Sequence, residues 1–324
     1  MLLSNYRSTA GITSSLQLYS TSDGGASWRR VSLVGSSVAW GEGTSIWQDL
    51  LVFANVSDGL IFLNTRQLLI SHDAGRVWRS VTAPGTVVGA VADEQNFVLA
   101  VGNGCGESCS KVHLMVLPDN GYTIKKWSDS PVGALQLGTQ PEPLLAWTQA
   151  TLYSSREGAE KWTRRNVRLC RDANVLFASI GASDLWLVCD EVFGVGDNPK
   201  WVYRSMNGGK SWNLVARVDG RDRLHPIGDI QEVGRVDSLI VLSASRAVMV
   251  KQGDISSTSD GGKDWVSTGL FGWPNGGLIC IGFLDCWAGW ASASTNPVTN
   301  AMSSQPAILR TTNAGQTWKA SVIR

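Results

Sequence analysis

A tryptophan closes the same eight-residue pattern at five places in this chain. Trp28 ends TSDGGASW, Trp78 ends SHDAGRVW, Trp212 ends SMNGGKSW, Trp265 ends TSDGGKDW and Trp318 ends TTNAGQTW. The shared text is Ser or Thr, any residue, Asp or Asn, any residue, Gly, two variable residues, Trp. Trp127 and Trp162 fall in step with these, so that successive tryptophans lie 50, 49, 35, 50, 53 and 53 residues apart. Self-similarity at a period of this length is the signature of a repeat architecture, and it constrains the fold more than any other feature.

Each part of the pattern has a physical role. The runs LQLYS, RQLLI and WVYRS that precede it read as strands. Asp23, Asp73, Asn207, Asp260 and Asn313 can fold a side-chain oxygen onto nearby backbone N–H groups and hold a tight turn. Gly25, Gly75, Gly209, Gly262 and Gly315, with Gly158 in a weaker copy, supply a backbone conformation of positive φ. Trp28, Trp78, Trp212, Trp265 and Trp318 open the returning strand and bury a large ring between sheets. Around Trp162 the text SSREGAEKW puts Arg156 in place of the Asp. Around Trp127, Asp119, Asn120 and Gly121 still spell a turn between VHLMV and YTIKKW. Four-stranded units of this size belong to β-propellers. The expectation is an all-β, single seven-bladed propeller of four-stranded antiparallel blades over residues 1–324, blades ending near residues 32, 82, 130, 167, 217, 268 and 324.

Composition excludes several partners. Charged residues make up only 17% and the net charge is +1, so nothing calls for nucleic acid or an anionic membrane surface. No apolar run approaches the roughly 18 residues of a membrane-spanning helix. In the last repeat, strand-like runs at LICIGF, WAGWAS, AILRTT and WKASVIR give four strands, with the turn between the third and fourth. The same spacing traced back from Trp28 places a second strand near Leu2 to Tyr6. The first blade is therefore expected to lack its innermost strand, and the C-terminus, ending on its own fourth strand, to have none to donate. MLLSNYRSTAG is not a secretory signal, since its apolar part is only Leu2 and Leu3.

Six cysteines are present, an even number that invites pairing. Cys105 and Cys109 share one loop, Cys170 and Cys189 fall at one end of a blade, and Cys280 and Cys286 flank a short bend. Pairing of neighbours would imply an oxidising, extracytoplasmic compartment; buried free thiols are the alternative. His72, His113 and His225 lack ligand spacing relative to the cysteines, so no metal and no cofactor is expected.

The recurring Trp-closed pattern resembles the Asp-box, or bacterial neuraminidase repeat, over essentially the whole chain. Such repeats occur in sialidases, xyloglucan-degrading glycosidases, sortilin-type receptors and photosystem II assembly and stability factors. IGFLDCWAGWAS followed by AILRTTNAGQTW is most similar to the last of these, and the blade around Leu185–Trp186 and Tyr203–Arg204 is a looser copy. The resemblance implies a propeller fold and, less specifically, a role in assembly.

An enzyme reading finds little support in the residues. Sialidases use a tyrosine nucleophile with an arginine cluster, yet Tyr19, Tyr153 and Tyr203 sit in strands leading into turns, and the Arg-Ile-Pro motif is absent. Another glycosidase would need two opposed carboxylates, for which Glu107, Asp190, Glu191, Asp197, Asp222 and Asp229 are candidates on the loop-rich face. VGNGCGESC is Gly-rich, but no helix follows to make it a phosphate cradle. Asn55 begins an Asn-Val-Ser sequon. The longest connections, residues 190–200, 219–228, 271–277 and 292–306, fall opposite the Trp-closed turns, where recognition usually resides. Arg168, Arg171, Arg221 and Arg223 cluster there, with Arg164, Arg165 and Arg217 close by in sequence, and resemble in kind the arginine-rich patch of photosystem assembly relatives. Trp273 in FGWPNGG could anchor a ligand or plug a gap between blades. The chain is thus read as a monomeric, non-catalytic scaffold binding a protein or peptide, the alternative being a carbohydrate-active propeller.

Overall fold

The computed structural model describes residues 2–7, 14–31, 51–55, 57–63, 66–92, 96–103, 111–118, 121–129, 136–137, 144–148, 151–156, 161–170, 173–191, 198–219, 227–230, 234–251, 254–268, 278–283, 286–295 and 302–323. Every element among them is a strand. In chain order these begin with β1 (Leu2–Arg7), β2 (Ser14–Ser20) and β3 (Ser27–Val31). Next come β4 (Leu51–Phe53), β5 (Gly59–Phe62), β6 (Gln67–Ser71) and β7 (Arg79–Thr82). Then follow β8 (Thr86–Ala92), β9 (Asn96–Asn103), β10 (Lys111–Pro118), β11 (Lys125–Asp129), β12 (Gln136–Leu137), β13 (Leu144–Thr148), β14 (Thr151–Arg156) and β15 (Lys161–Asn166). The next two groups are β16 (Asn174–Ile180), β17 (Asp184–Asp190), β18 (Lys200–Ser205), β19 (Asn213–Val218), and β20 (Val236–Val241), β21 (Ala247–Lys251), β22 (Asp254–Thr258), β23 (Val266–Ser267). The chain closes with β24 (Leu278–Phe283), β25 (Gly289–Thr295), β26 (Met302–Thr311), β27 (Lys319–Ala320) and β28 (Val322–Ile323).

The strands form small sheets in a β-propeller arrangement with six blades, each made of four consecutive antiparallel strands, from β4–β7 through β24–β27. The expectation of seven such blades is corrected here. The remaining sheet runs β1-β2-β3-β28, and its last member pairs with β3 in parallel, in the register Val322↔Ser27 and Ile323↔Trp28. The physical reason lies at Ser321. β27 is only two residues long; the Ser321 N–H then donates to Ile308 O at 2.7 Å while its hydroxyl reaches Gly25 O at 3.0 Å. The chain thereby leaves its own sheet and crosses to the N-terminal one, so the C-terminus does have a strand to donate.

Two compact units divide the molecule, residues 1–32 with 169–324, and residues 33–168. In the second unit, Val91, Val98, Ala100, Val112 and Leu114 of one sheet pack on Ala146 and Tyr153 of the next. In the first unit, β21 shows how side-chain alternation builds the stack. Ala247 and Met249 face Trp186 and Val188 of one neighbouring sheet, whereas Val248 faces Ala291 and Leu309 of the other. A strand with period-2 side chains buried on both faces is what a sheet sandwiched between sheets requires. Tyr19 and Trp28 pack with Ile308 and Trp290 in the same way between the N-terminal sheet and β24–β27.

The Trp-closed turns share one set of hydrogen bonds. Thr21 Oγ1 accepts the Gly25 N–H at 2.8 Å and donates to Asp23 Oδ1 at 2.9 Å, which also accepts the Ser27 N–H at 2.9 Å. Ser71 with Asp73, Ser205 with Asn207, Thr258 with Asp260 and Thr311 with Asn313 repeat the arrangement. Trp78, Trp265 and Trp318 add an indole N–H donated to the carbonyl of Gly75, Gly262 and Gly315. The Ser27 hydroxyl and N–H hold the Asp23 carboxyl well below the usual carboxylate range. The Val77 N–H does the same for Asp73. At Asp260 burial pushes upward, but the Asp264 N–H and the Thr258 hydroxyl outweigh it and the carboxyl ends low.

Candidate functional site

Opposite those turns, the first unit carries a run of buried charge. Asp190 ends β17 and faces Lys200, which starts β18. Both side chains are 0% exposed, with Lys200 Nζ 3.6 Å from Asp190 Oδ1. The ammonium donates to Asn198 O at 2.8 Å. Asp190 Oδ2 accepts the Val236 N–H at 2.8 Å, a bond that joins one sheet to the next. Val236 in turn faces Lys251 across β20 and β21, and Lys251 faces Asp254 across the following hairpin. Lys251 Nζ lies 3.9 Å from Asp254, whose carboxylate also accepts the hydroxyls of Ser267 and Thr268.

Burial dominates the electrostatics of this run. It pushes the Asp190 carboxyl above the usual range, and the Val236 N–H and Lys200 offset it only in part. Asp237 adds to the upward push. Burial likewise lowers the Lys251 ammonium, against the pull of Asp254. A buried pair of this kind contributes geometry more than net stability. The Glu191 N–H bonded to Pro199 O at 3.0 Å closes the base of the β17–β18 connection. The Cys170–Cys189 disulfide, with Cα atoms 5.4 Å apart, ties the approach to β16 onto β17 beside it. The base of these connections is therefore fixed by a covalent bond, an inter-sheet hydrogen bond and two ion pairs.

The other sequence candidates distribute as follows. Arg168 is described and exposed. Arg171, Arg221, Arg223, Trp273, Cys105, Cys109, Glu107, Asp197 and Asp222 lie outside the described residues. Cys286 is a free thiol, so it forms no bond with Cys280. Asp190 is fully buried and engaged by Lys200 and the Val236 N–H. Asp229 stands against the Trp-closed turn at Lys263 and Asp264, its N–H donating to Lys263 O at 2.9 Å. Tyr19 and Tyr203 have hydroxyls pushed above the usual phenol range by burial, the opposite of an activated nucleophile. Among the described residues no group of three or more His, Cys, Asp or Glu side chains could hold a metal ion.

One pair escaped the sequence reading. His72 Nδ1 lies 2.8 Å from Asp58 Oδ1, and its ring meets Tyr122 edge to face at 4.9 Å. Burial raises the Asp58 carboxyl, but the bonds from His72, Asn55 and Ser57 together bring it below its ordinary range. Ser57 donates to Asn55 and Asp58, not to the imidazole, and His72 Nε2 is buried. Asp58 therefore orients a ring that packs between two sheets, with no relay to a nucleophile.

No family model and no curated protein matches this chain. Solved structures do. One is described as "YCF48 bound to D1 peptide", at 12% identity and a TM-score of 0.54, covering 83% of this chain and 79% of that one. YCF48 from Cyanidioschyzon merolae matches at 12% identity and a TM-score of 0.54, covering 84% of each chain. A GH74 xyloglucanase from Xanthomonas campestris matches at 14% identity and a TM-score of 0.55, covering 87% of this chain but 46% of that one. These likenesses show the fold, a β-propeller. The disulfide is compatible with an extracytoplasmic place, and among the described residues no helix is long and apolar enough to cross a membrane.

Proposed function

We propose that the chain is a non-catalytic, extracytoplasmic Asp-box propeller that binds a protein or peptide on the connections opposite its Trp-closed turns. The observation that carries this reading is the Asp190 carboxylate, which joins Lys200 to the Val236 N–H of the next sheet at the strand ends from which those connections start. Recognition loops gain affinity when their bases are fixed in advance, and here the Cys170–Cys189 bond reinforces the same place. The neighbour described as bound to a peptide supports the choice of partner class. Arg168, Arg171, Arg221, Arg223 and Trp273 are the residues assigned to contact the partner.

The test is capture of an extended acidic peptide by the purified chain, compared with an Arg168→Ala/Arg171→Ala/Arg221→Ala/Arg223→Ala variant. Binding that weakens at least tenfold in the variant supports the reading, while equal binding by both dismisses the arginines. Turnover of xyloglucan or aryl-glycosides by the same preparation would replace the scaffold with the carbohydrate-active alternative.

A further inference from the structure

The sheets β16–β19 and β24–β27 carry the same aromatic and guanidinium pair at the same register, and among the described residues only the first shows a carboxylate bound to its guanidinium. In the first sheet Trp186 faces Arg204 across β17 and β18. The Arg204 guanidinium lies 5.0 Å from the indole centroid. Its Nε and Nη2 donate to the two carboxylate oxygens of Asp184 at 2.9 and 2.7 Å. In the second sheet Trp290 faces Arg310 across β25 and β26. Two residues before each tryptophan stand Asp184 in one case and Ala288 in the other. Arg310 Nε is buried with no hydrogen-bond partner among the described residues.

The junction around Arg310 is rich in donors. Among the described residues Trp290 Nε1 and Trp28 Nε1 are both buried without a hydrogen-bond partner there, as Trp186 Nε1 is in the sister sheet. Trp28 is 1% exposed, and the two indoles meet edge to face with centroids 5.8 Å apart. The turn of the N-terminal sheet presses on the same place. A Cβ on Gly24 would stand 3.9 Å from Arg310 Nη2, and one on Gly25 would fall 1.6 Å from Trp290 Nε1. Among the described residues three N–H groups thus lack an acceptor at one inter-sheet junction, and the charged one, on Arg310, is what sets it apart from the sister sheet. Buried donors of this kind each cost free energy until an acceptor arrives. The planar fork of an arginine suits a carboxylate held at two points, and Asp184 displays that fit in the sister sheet.

We propose that the junction of β24–β27 with the N-terminal sheet is a carboxylate-binding site, in which an acidic ligand takes beside Arg310 the place that Asp184 holds beside Arg204. Arg310 lies at the Trp-closed end of its sheet, opposite the end that carries Asp190, so this site is separate from the peptide-binding face proposed above.

The experiment titrates the full chain with sodium acetate against sodium chloride at constant ionic strength. The arginine Nε–Hε resonances and tryptophan fluorescence report binding. Parallel titrations use a peptide with a free C-terminal carboxylate and a capped peptide with one glutamate side chain, which separates small acids, chain ends and side chains as the source. The wild type should respond saturably to at least one of them. Arg310→Gln should weaken that response roughly ten- to a hundredfold, the worth of a charge-assisted hydrogen bond. Ala288→Asp supplies the missing carboxylate internally; it should abolish the response and raise the melting temperature, which keeps the test decisive if Arg310→Gln fails to fold. No saturable response in the wild type, or an unchanged response in Ala288→Asp, would overturn the proposal.

Discussion

Ala74 stands three residues after the hydroxyl residue Ser71 of its turn with φ 59°, where Gly24, Gly208 and Gly261 stand in other turns with φ 65°, 67° and 82°. A side chain in this left-handed region costs about 1–2 kcal/mol, against which a glycine loses part of the gain in chain entropy. Ala74→Gly, at an exposed site, should therefore raise stability by about 0.5–1 kcal/mol in a urea melt. Gly262→Ala should act the other way. Its φ is 90°, and a Cβ there would meet the Trp186 ring at 2.6 Å, so a loss of about 1–3 kcal/mol or more is expected. The buried pair gives a second contrast at this scale. Lys200→Met strands the Asp190 carboxylate and should cost about 3–5 kcal/mol near neutral pH. The Asp190 carboxyl already titrates above its usual range. Its unfavourable contribution is absent below the unfolded value and sets in as pH rises through the folded one, so the Lys200→Met penalty should shrink on acidification. Asp190→Asn/Lys200→Met keeps an acceptor for Val236 and should recover most of the loss; a double variant as unstable as the single one would refute the pairing argument.

The hairpins could be read from the chain because each strand pair is local and each turn is held by its own side chains. The crossing of the C-terminus could not. KASVIR alternates like a single strand, and only the Ser321 bonds to Ile308 and Gly25 reveal the change of sheet. A two-residue parallel pairing leaves no pattern in the text, so the tryptophan spacing alone implies one four-stranded blade too many. Removing residues 321–324 should lower stability by about 1–3 kcal/mol, the worth of a few hydrogen bonds. Amide exchange should quicken in Ser27–Val31 and stay unchanged in β17 and β18. Uniform acceleration of all strands would mean that β28 does more than seal one sheet. The Asp190–Lys200 pair was half legible: a charged residue at each end of the connection between LWLVCD and KWVYRS falls opposite its partner if the hairpin is in register. Its bond to Val236 was hidden, because 46 residues separate the two and nothing local links them.

At the scale of the molecule, the all-β class was legible because strand runs and turns alternate along the chain with hardly any helical period. How the charged groups respond to pH was not, since it depends on bonds that only the folded turns make. Asp23, Asp73 and Asp260 all titrate low because turn N–H and hydroxyl groups stabilise their ionised forms. Asp58 does so through His72, Asn55 and Ser57, against its own burial. A carboxyl lowered by folding contributes stability above its unfolded value and loses it as pH falls through the folded one. Acid unfolding should accordingly set in below about pH 4, where unfolded aspartates begin to bind protons. Asn207 and Asn313 make the equivalent bonds with neutral amides, so two of the turns are already indifferent to acid. Asp23→Asn/Asp73→Asn/Asp260→Asn should then leave the neutral melting temperature close to that of the parent while moving the acid transition to lower pH. Circular dichroism across an acid titration measures both, and an acid midpoint unmoved by the triple substitution would place the titrating groups elsewhere. In the asparagine turns the same backbone donors are satisfied with no proton to gain.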